Sequence, residues 1–372
     1  MKTSTKKNKK EKNAQKKCDK CKKQAAITLT YGPHYFCENH FTRFFEERFR
    51  KTIRKYKLFK PKEKILVALS GGKDSTILLY LLKKFYSKSN NIEALIIDEG
   101  VKGYRDKSIK IAIKNCKYWG IKHTLASFKK EFGITNDLLM PLIEKNPKLG
   151  GTCAFCGTIR RNIMNRYAKT LKADKLATGH NLDDEVQSFV MNVFNNDFER
   201  MKRMGATSGV IEHSGFVKRI KPLYETPEKE IIAYCAFNGI KHYSEECCPY
   251  SYMAKRNEYR EMLNHFEQRF PGTKYSIIRF NEKLRESIIP KEIKINHENK
   301  KLLNCTNCGE PTEKKLCKTC EMMETLKKEQ KKKIYLKHKK QKETTHNAQR
   351  KKYENKLTCL STKAPKTNQQ TN

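Results

Sequence analysis

The sequence predicts an α/β protein: a doubly wound parallel sheet flanked by zinc-binding modules on its N- and C-terminal sides. Three observations predict this class. Short apolar runs alternate with helical patterns through the middle of the chain. A glycine turn follows the first apolar run of that region. Two groups of cysteines with the spacing of zinc ligands bracket it.

The composition restricts the class of partner. Lys and Arg total 80 of the 372 residues against 40 acidic residues, a formal net charge of +40. So large an excess indicates a polyanionic partner, and nucleic acid is the leading candidate. Many of the lysines lie in residues 1–17 and 321–372, runs typical of solvated or disordered tails. No apolar run approaches the ~20 residues that span a bilayer, so we expect a cytosolic protein with reduced thiols and no membrane partner.

The elements can be justified in chain order. Residues 18–40 carry two pairs of metal-ligand residues around an aromatic, hairpin-like segment, and a basic amphipathic helix is expected from about Phe41 to Tyr56. Apolar strand-like runs then alternate with helical patterns, the order that builds a parallel sheet. These runs are ILVALS (65–70) and STILLYLLKKF (75–85), IEALIID (92–98) and a helix after Tyr104, KHTLASF (122–128), KLATGH (175–180) and DDEVQSFVMNVF (183–194), VKRIKPLY (217–224) and PEKEIIAYCAFNG (227–239).

These shifts in composition predict five regions along the chain. They are a basic disordered tail (1–17), an N-terminal zinc module with its linker helix (18–56), a catalytic domain (57–298), a C-terminal zinc ribbon (299–322) and a Lys-rich tail (323–372).

The glycine turn, SGGKDS at 70–75, joins the first strand of the sheet to a helix. Glycines let backbone N–H groups converge on an anion, and the helix N-terminus adds its dipole. The turn therefore predicts a phosphate site. Its spacing differs from the P-loop of kinases and from the dinucleotide-binding G-x-G-x-x-G. An ordinary strand-to-helix turn with an Asp or Ser cap is the alternative.

Two further segments end strands at the same edge of the predicted sheet. In IIDEGVKGYRD (96–106), main-chain groups around Ile97 could meet an adenine edge, and a simple charged turn is the alternative. In ATGHNLDDEVQ (177–187), the pair Asp183 and Asp184 opens a helix. Carboxylates facing a phosphate site could bind Mg²⁺ or position a reacting group, although Asp at a helix start is often only a cap.

Eight residues in two groups have the spacing of closed, tetrahedral zinc sites. They are Cys18, Cys21, Cys37 and His40, and Cys305, Cys308, Cys317 and Cys320. The spacing predicts two structural zinc ions, and His34 is an alternative ligand in the first group.

A third group of cysteines differs because it has no second pair nearby. Cys153 and Cys156 are expected in a glycine-rich loop before a helix, and a third thiol comes from Cys247 or Cys248. Three thiolates leave one position open, which fits either an iron–sulfur cluster with one non-cysteine corner or a redox pair that carries persulfide sulfur. A thioredoxin-like C-x-x-C is the alternative.

Taken together, the SGGKDS turn, the C-x-x-C, the later Cys-Pro-Tyr (248–250) and the paired zinc modules resemble the cytosolic tRNA 2-thiouridine synthetases. These are archaeal-type members of the N-type ATP pyrophosphatase (PP-loop) superfamily, and the resemblance covers about residues 18–320. It implies a sulfurtransferase that adenylates the C2 oxygen of a tRNA uridine, releases pyrophosphate and replaces the oxygen by sulfur. The implied cofactors are ATP, Mg²⁺, two Zn²⁺ and one 4Fe–4S cluster. The implied partners are tRNA and either sulfide or a ubiquitin-like carrier that ends in a thiocarboxylate, with a homodimer as one expected state.

The same resemblance implies roles for individual residues. Asp183 would assist adenylation, and Cys248 is preferred to Cys247 as cluster ligand because it directly precedes Pro249, as in the archaeal and bacterial pattern. The stretch DEGVKGYRD is closer to the branch that modifies the wobble uridine. The residues implied to hold ATP are Ala68, Ser70, Gly71, Gly72, Lys73, Asp74, Ser75, Ile97, Arg160 and Gly179, and those implied to hold the cluster are Cys153, Cys156 and Cys248.

Two other functions are compatible with parts of the pattern. The tRNA 2-thiocytidine synthetases share the glycine turn and three cysteines but lack the paired zinc modules. A zinc-ribbon RNA-binding protein with a vestigial ATP loop would explain the charge, but it would not explain an intact SGGKDS beside Asp183, Asp184 and the loop cysteines.

Overall fold

The order of helices and strands is close to that expected from the sequence. The computed structural model describes residues 16–144, 151–208, 215–244, 248–296 and 302–328. The strands are β1 (Ile27–Leu29), β2 (His34–Phe36), β3 (Lys64–Ala68), β4 (Asn91–Asp98), β5 (His123–Ser127), β6 (Lys175–Ala177), β7 (Thr207–Ser208), β8 (Lys218–Ile220), β9 (Leu303–Asn304) and β10 (Pro311–Thr312). The helices are α1 (Glu38–Lys55), α2 (Lys73–Tyr86), α3 (Arg105–Tyr118), α4 (Phe128–Phe132), α5 (Asn136–Glu144), α6 (Thr152–Thr170), α7 (Leu182–Phe194), α8 (Phe198–Lys202), α9 (Glu228–Phe237), α10 (Arg256–Arg269) and α11 (Thr273–Asn296).

The chain divides into two compact units, Met1–Thr319 and Cys320–Asn372. The first unit contains all the strands and helices named above. The described residues of the second unit, 320–328, are helical. Most of the two predicted tails lies outside the described residues, and the five predicted region limits stay predictions.

The central sheet has six strands in the order β5–β4–β3–β6–β8–β7. Its first five strands are parallel, and β7 pairs antiparallel with β8 at the edge. The predicted parallel, doubly wound sheet is confirmed, with one short antiparallel edge strand added. Residues 65–67 of β3 are fully buried, as expected for a central parallel strand covered by helices on both faces.

The order of the strands places a crevice between β3 and β6. The chain starts the sheet at β3, runs outward through β4 to β5, and then returns to form β6 on the other side of β3. Because crossovers between parallel strands are right-handed, winding in opposite directions puts the connecting helices on opposite faces. The carboxyl ends of β3 and β6 therefore flank the switch point where doubly wound sheets bind ligands.

The predicted linker helix is α1, and it packs on the sheet domain. Phe41, Phe45 and Phe49 recur every fourth residue and are fully buried. The Phe45 ring stacks on Tyr234 of α9 with centroids 4.4 Å apart, and Phe41 meets Phe237 edge-on at 5.7 Å. The hairpin of β1 and β2, which precedes α1, is thus held against the same unit as the sheet.

The structure corrects one local expectation. Cys153 and Cys156 do not lie in a loop before a helix: both belong to the first turns of α6, which is capped by Gly151. The glycines at 150–151 and 157 favour a loop when only the sequence is considered. Gly151 instead supplies the extended N-cap, and the i, i+3 spacing puts both thiols on one helical face.

Candidate functional site

The glycine turn lies at the carboxyl end of β3. Gly71 has φ +87°, and a Cβ atom built there would lie 2.3 Å from the backbone oxygen of Ser108. The left-handed conformation and the lack of space both require glycine at this position. Gly72 is the N-cap of α2, so the unpaired N–H groups at the start of this helix lie next to the glycine turn. The turn thus has the shape of an anion site at a helix N-terminus.

Two serine hydroxyls hold the turn in shape. The Ser75 Oγ accepts a hydrogen bond from the Ser70 N–H at 3.1 Å and lies 2.9 Å from the Ser70 Oγ. The Ser70 Oγ also accepts from the Gly72 N–H at 3.3 Å. The first and last residues of SGGKDS are therefore bonded to each other, which fixes the shape of the turn.

The charged residues of the turn have partners on two neighbouring helices. Lys73 Nζ lies 2.6 Å from a carboxylate oxygen of Glu228, at the start of α9, and 3.2 Å from Asp74. The Asp74 carboxylate accepts a hydrogen bond from the Asn181 side chain at 2.9 Å. Burial raises the pKa of Asp74, and the nearby charge of Asp184 raises it further. A cation or a phosphate bound at the turn would change the partners of these charged side chains.

Gly179 brings the end of β6 against the turn. A Cβ atom on Gly179 would lie 2.8 Å from the Ser75 nitrogen and 2.9 Å from the Asp74 carbonyl carbon. Any side chain here would displace the start of α2. The two halves of the predicted ATP site, 70–75 and 177–187, are thus in direct contact across the switch point.

The two adjacent aspartates of α7 face different groups. Asp183 is buried, accepts the Glu228 N–H at 2.8 Å and forms an ion pair with Lys274. Asp184 forms a capping box with Asn181. Of these two aspartates, Asp184 is the one whose charge adds to the effect of burial and raises the pKa of Asp74. The two residues have the same side chain, but successive positions on a helix point in different directions, so the two carboxylates have different neighbours.

The three cysteine side chains from 153, 156 and 248 lie within one another's electrostatic field. Burial raises the pKa of Cys156 and of Cys248, and the charges of the other thiols raise both further. The Asn136 amide donates a hydrogen bond to the Cys156 sulfur at 3.3 Å. Cys247 lies outside the described residues, so the choice between Cys247 and Cys248 stays a prediction.

The spacing of these thiols differs from that of a site for a single ion. Among the described residues, the groups whose ligand atoms all lie within 4.8 Å of one another are Cys18, Cys21, Cys37 and His40, and Cys305, Cys308, Cys317 and Cys320. Cys153, Cys156 and Cys248 are not such a group, although the charges of the first two act on the third. A cluster of several iron atoms is larger than one zinc ion and needs ligands farther apart, so this donor set fits an iron–sulfur cluster.

A chain of ion pairs, buried at Arg105 and Glu99 and exposed at Arg160, joins the glycine turn to the cysteines, and the sequence did not predict it. Arg105 donates to the Ser70 carbonyl oxygen at 2.7 Å and to that of Ile97. Its Nε lies 2.5 Å from Glu99, which is 6% exposed. Glu99 is also 3.4 Å from Arg160 on α6, and the charge of Arg160 opposes the burial that raises the pKa of Cys156. The only sequence signal was a charged segment, 96–106, that follows a buried strand.

The two compact cysteine groups have the donors of structural zinc sites. Burial would raise the pKa of Cys18 and of Cys305, but hydrogen bonds from backbone N–H groups and neighbouring thiols outweigh it and lower each pKa to about 6. Thiols that ionise readily are suited to bind a metal ion. The first group includes His40, whose Nδ1 is 3.4 Å from Cys18 and 3.3 Å from Cys37. His34 is not a member of the group, so the alternative ligand is not supported.

None of the described helices is both long and apolar enough to cross a membrane.

Comparison with known proteins gives three consistent findings. The family model described as a PP-loop domain matches residues 41–266. The chain is 36% identical over 324 residues to the tRNA 2-thiolation protein NcsA of Haloferax volcanii, covering 83% of this chain and 98% of that protein. It is also 36% identical over 305 residues to the tRNA-5-methyluridine(54) 2-sulfurtransferase of Pyrococcus horikoshii, covering 82% of this chain and 92% of that protein.

A solved structure also resembles this one. It is the U34-tRNA thiolase NcsA from Methanococcus maripaludis with its [4Fe-4S] cluster, with a TM-score of 0.71 and 33% identity. The match covers 83% of this chain and 96% of that chain.

Proposed function

The chain belongs to the PP-loop family of tRNA 2-thiolation proteins, and from this premise we propose that it is an ATP-dependent tRNA sulfurtransferase that makes 2-thiouridine. One observation carries the proposal. The phosphate-shaped turn at 70–75 and the three cysteines lie at the same edge of the sheet, and the chain Arg105–Glu99–Arg160 joins them. These contacts support a nucleotide site and a sulfur site that lie side by side.

The proposed reaction has two steps. The C2 oxygen of the uridine attacks the α-phosphorus of ATP, and the bond from the α-phosphorus to the bridging oxygen breaks, so that pyrophosphate leaves. Sulfide sulfur then attacks C2, and AMP leaves with the original oxygen. The turn would hold the departing pyrophosphate through its N–H groups and Lys73. Asp74 and Asp184 would hold Mg²⁺, which offsets the charge that develops on the phosphates.

We also propose that the cysteines hold one 4Fe–4S cluster, with Cys153, Cys156 and Cys248 as ligands. Such a cluster supplies, when bound, an iron site at which the incoming sulfur can be held. The Asn136 amide, donating to the Cys156 sulfur, would fix the position of that ligand. Sulfide or a thiocarboxylated carrier is the proposed sulfur source.

Asp183 keeps its predicted role in adenylation only as a proposal, and its contacts support an indirect role. Its carboxylate holds the Glu228 N–H, and the Glu228 side chain holds Lys73. Asp183 would then set the position of Lys73 without touching the nucleotide.

The four ligand atoms of each compact cysteine group support two Zn²⁺ as further cofactors.

The wobble uridine is the proposed position of thiolation. The segment DEGVKGYRD supports it, as stated above. The relatives include one named for position 54 and one for U34, so similarity alone does not choose between them. A cytoplasmic location and a homodimer are retained as predictions from the sequence.

The test is a thiolation assay on the protein purified without oxygen. The protein is incubated with ATP, Mg²⁺, sulfide and unmodified tRNA, and the digested RNA is analysed by mass spectrometry for thionucleosides and their positions. We expect 2-thiouridine only with ATP, and none from Asp74→Ala or Cys156→Ala. Cys116→Ala, which removes a buried thiol of α3 outside the site, is the matched control and should remain active. Product from both site variants would refute the mechanism, and 2-thiocytidine would correct the substrate.

A further inference from the structure

The C-terminal half of α6 and the chain that enters β8 are held beside each other by the buried side chain of Asn165. The Asn165 Oδ1 accepts the Val217 N–H at 3.0 Å, and its Nδ2 donates to the Gly215 carbonyl oxygen at 3.0 Å. Asn165 is 9% exposed. These two hydrogen bonds set the register between the helix and the chain that enters β8.

That register brings two arginines opposite each other. α6 is joined to β6 by residues 171–174 and β8 is parallel to β6, so α6 and β8 run in opposite directions. One helical turn back from Asn165 is Arg161, about 6 Å away. Two residues onward from Val217 is Arg219, about 6.6 Å away and on the same face of the strand. Arg161 and Arg219 are therefore at neighbouring positions across the contact between α6 and β8, close enough for the charge of Arg219 to act on Arg161.

Neither arginine has a carboxylate partner in the described part of the chain. The Arg219 guanidinium, half-buried, has no hydrogen bond or ion pair there. Arg161 donates only to the Thr158 hydroxyl, at 3.2 Å. By contrast, Arg160 and Arg256 both face carboxylates. Burial lowers the pKa of Arg161, and the charge of Arg219 lowers it further, so the two cations oppose each other.

The arginine pair lies beside the cysteine site. A Cβ atom on Gly157 would lie 3.2 Å from Arg161 Nη1, so the guanidinium folds over the residue that follows Cys156. Two neighbouring guanidinium groups without a carboxylate partner can hold an anion between them, and a phosphate fits their fork geometry. The phosphates of ATP already have the N–H groups of the glycine turn and Lys73.

We propose that Arg161 and Arg219 form a binding site for one backbone phosphodiester of the substrate RNA, next to the position where sulfur is transferred. This rests on the proposed function, because it assumes that RNA enters the site. The pair would fix the strand that carries the target nucleotide. It adds a local contact to the diffuse attraction from a net charge of +40.

The test measures binding of unmodified tRNA, without catalysis, as a function of salt concentration. The variants are R161Q, R219Q and the double variant, and K169Q is the matched control because Lys169 is an exposed cation two turns further along α6. We expect about tenfold weaker RNA binding for each single variant, since each loses a charge-assisted contact. In the double variant, the slope of log affinity against log salt should fall by about 0.7 to 0.9 in total, because the two arginines contact a single phosphate. ATP affinity and the K169Q variant should be unchanged within about twofold of wild type.

Each alternative outcome contradicts the proposal. Loss of ATP affinity without loss of RNA affinity would make the pair an ATP phosphate site. Unchanged RNA binding in R161Q would exclude the site, and because Arg161 is exposed this variant is informative even if R219Q folds poorly. If the wild-type protein binds no tRNA, the proposed function fails and this inference fails with it. If it binds tRNA and the variants bind equally well, only the inference fails.

Discussion

Gly71 shows how one residue fixes the nucleotide site. Its backbone is left-handed, and Ser108 occupies the space that a side chain would need. At Gly179 the backbone φ is not positive, so conformation does not require glycine there. The lack of space does, because the nearby Ser75 nitrogen excludes a side chain. At the residue scale, then, the turn is defined as much by missing side chains as by the polar groups it presents.

Replacing Gly71 by Ala should abolish ATP turnover. The clash with the Ser108 carbonyl must displace the turn, in addition to about 1–2 kcal/mol of left-handed strain. Gly120→Ala is the matched control, since Gly120 has φ +61° and nothing within 4 Å of the added Cβ. We expect similar strain in both variants and loss of ATP–pyrophosphate exchange only in Gly71→Ala. Equal activity of the two would show that the turn tolerates the displacement.

Arg105 is the residue whose loss should most disturb the frame of the site. It is 4% exposed and pairs with buried Glu99. Arg105→Leu leaves that carboxylate buried and poorly paired, so we expect a loss of about 3–5 kcal/mol in the free energy of unfolding. Arg160→Leu should cost under about 1 kcal/mol, because the Arg160 side chain is 46% exposed. Denaturant unfolding of both variants measures the difference, and equal losses would contradict the proposed chain.

The elements act by bringing distant turns to one edge of the sheet. α7 places Asp183 against α9 and Asp184 near Asp74, although the two are adjacent in sequence. α6 presents its two cysteines at its start and Asn165 two turns later, so one helix carries both the sulfur ligands and the contact to β8. Packing of elements, and not local sequence, decides which side chains share the site.

The contact between α1 and the loop before α9 should depend on pH. Burial would raise the pKa of Glu225, but hydrogen bonds from Lys55 and Tyr56 outweigh it and lower the pKa below its usual value. A carboxyl group whose pKa falls on folding stabilises the protein above its unfolded pKa, near pH 4.3, and this contribution is lost as the pH falls through the folded pKa.

We therefore expect Glu225→Gln to lower stability at pH 7 and to lose less on acidification from about pH 5 to pH 3 than wild type. Thermal unfolding at a series of pH values measures this. Glu47→Gln, at an exposed position of α1, is the control and should follow the wild-type curve. Parallel curves for wild type and Glu225→Gln would show that the carboxylate is not ionised in this contact.

At the scale of the whole molecule, the first cysteine group lies in the same compact unit as the central sheet. The first cysteine group is tied to the sheet domain through Tyr31, which donates to Glu230 of α9 at 2.6 Å. Arg48 of α1 pairs with the same carboxylate at 2.7 Å. Folding of the N-terminal module is therefore coupled to the domain that holds the nucleotide turn.

Removing one zinc site should leave the other metals in place. We expect two zinc ions per wild-type chain by elemental analysis, and one in Cys37→Ser. Because that site is coupled to α9, Cys37→Ser should also lower the melting temperature. Cys153→Ser is the complementary variant: it should keep both zinc ions and lose the iron and the visible absorption of the cluster. Loss of zinc from Cys153→Ser would show that the α6 cysteines bind zinc.

Much of the site could be predicted because its chemistry is encoded in short spacings. The glycine turn, the C-x-x-C pairs and the alternation of strands and helices each depend on residues within about one element of one another. The expected loop at Cys153 was wrong because Gly151 serves equally well in a loop or as a helix N-cap, and only the hydrogen bonds of α6 distinguish the two.

By itself the sequence determined the fold class, the place of the glycine turn and the two compact cysteine groups, since these follow from local backbone preferences and ligand spacing. Tertiary structure alone decided that Glu99 lies between Arg105 and Arg160, that Asp184 and not Asp183 shares the field of Asp74, and that Arg161 faces Arg219. These pairings join residues on different elements, and a side chain's partner there depends on the register between elements. That register is set by packing of the whole core, which no short stretch of sequence contains.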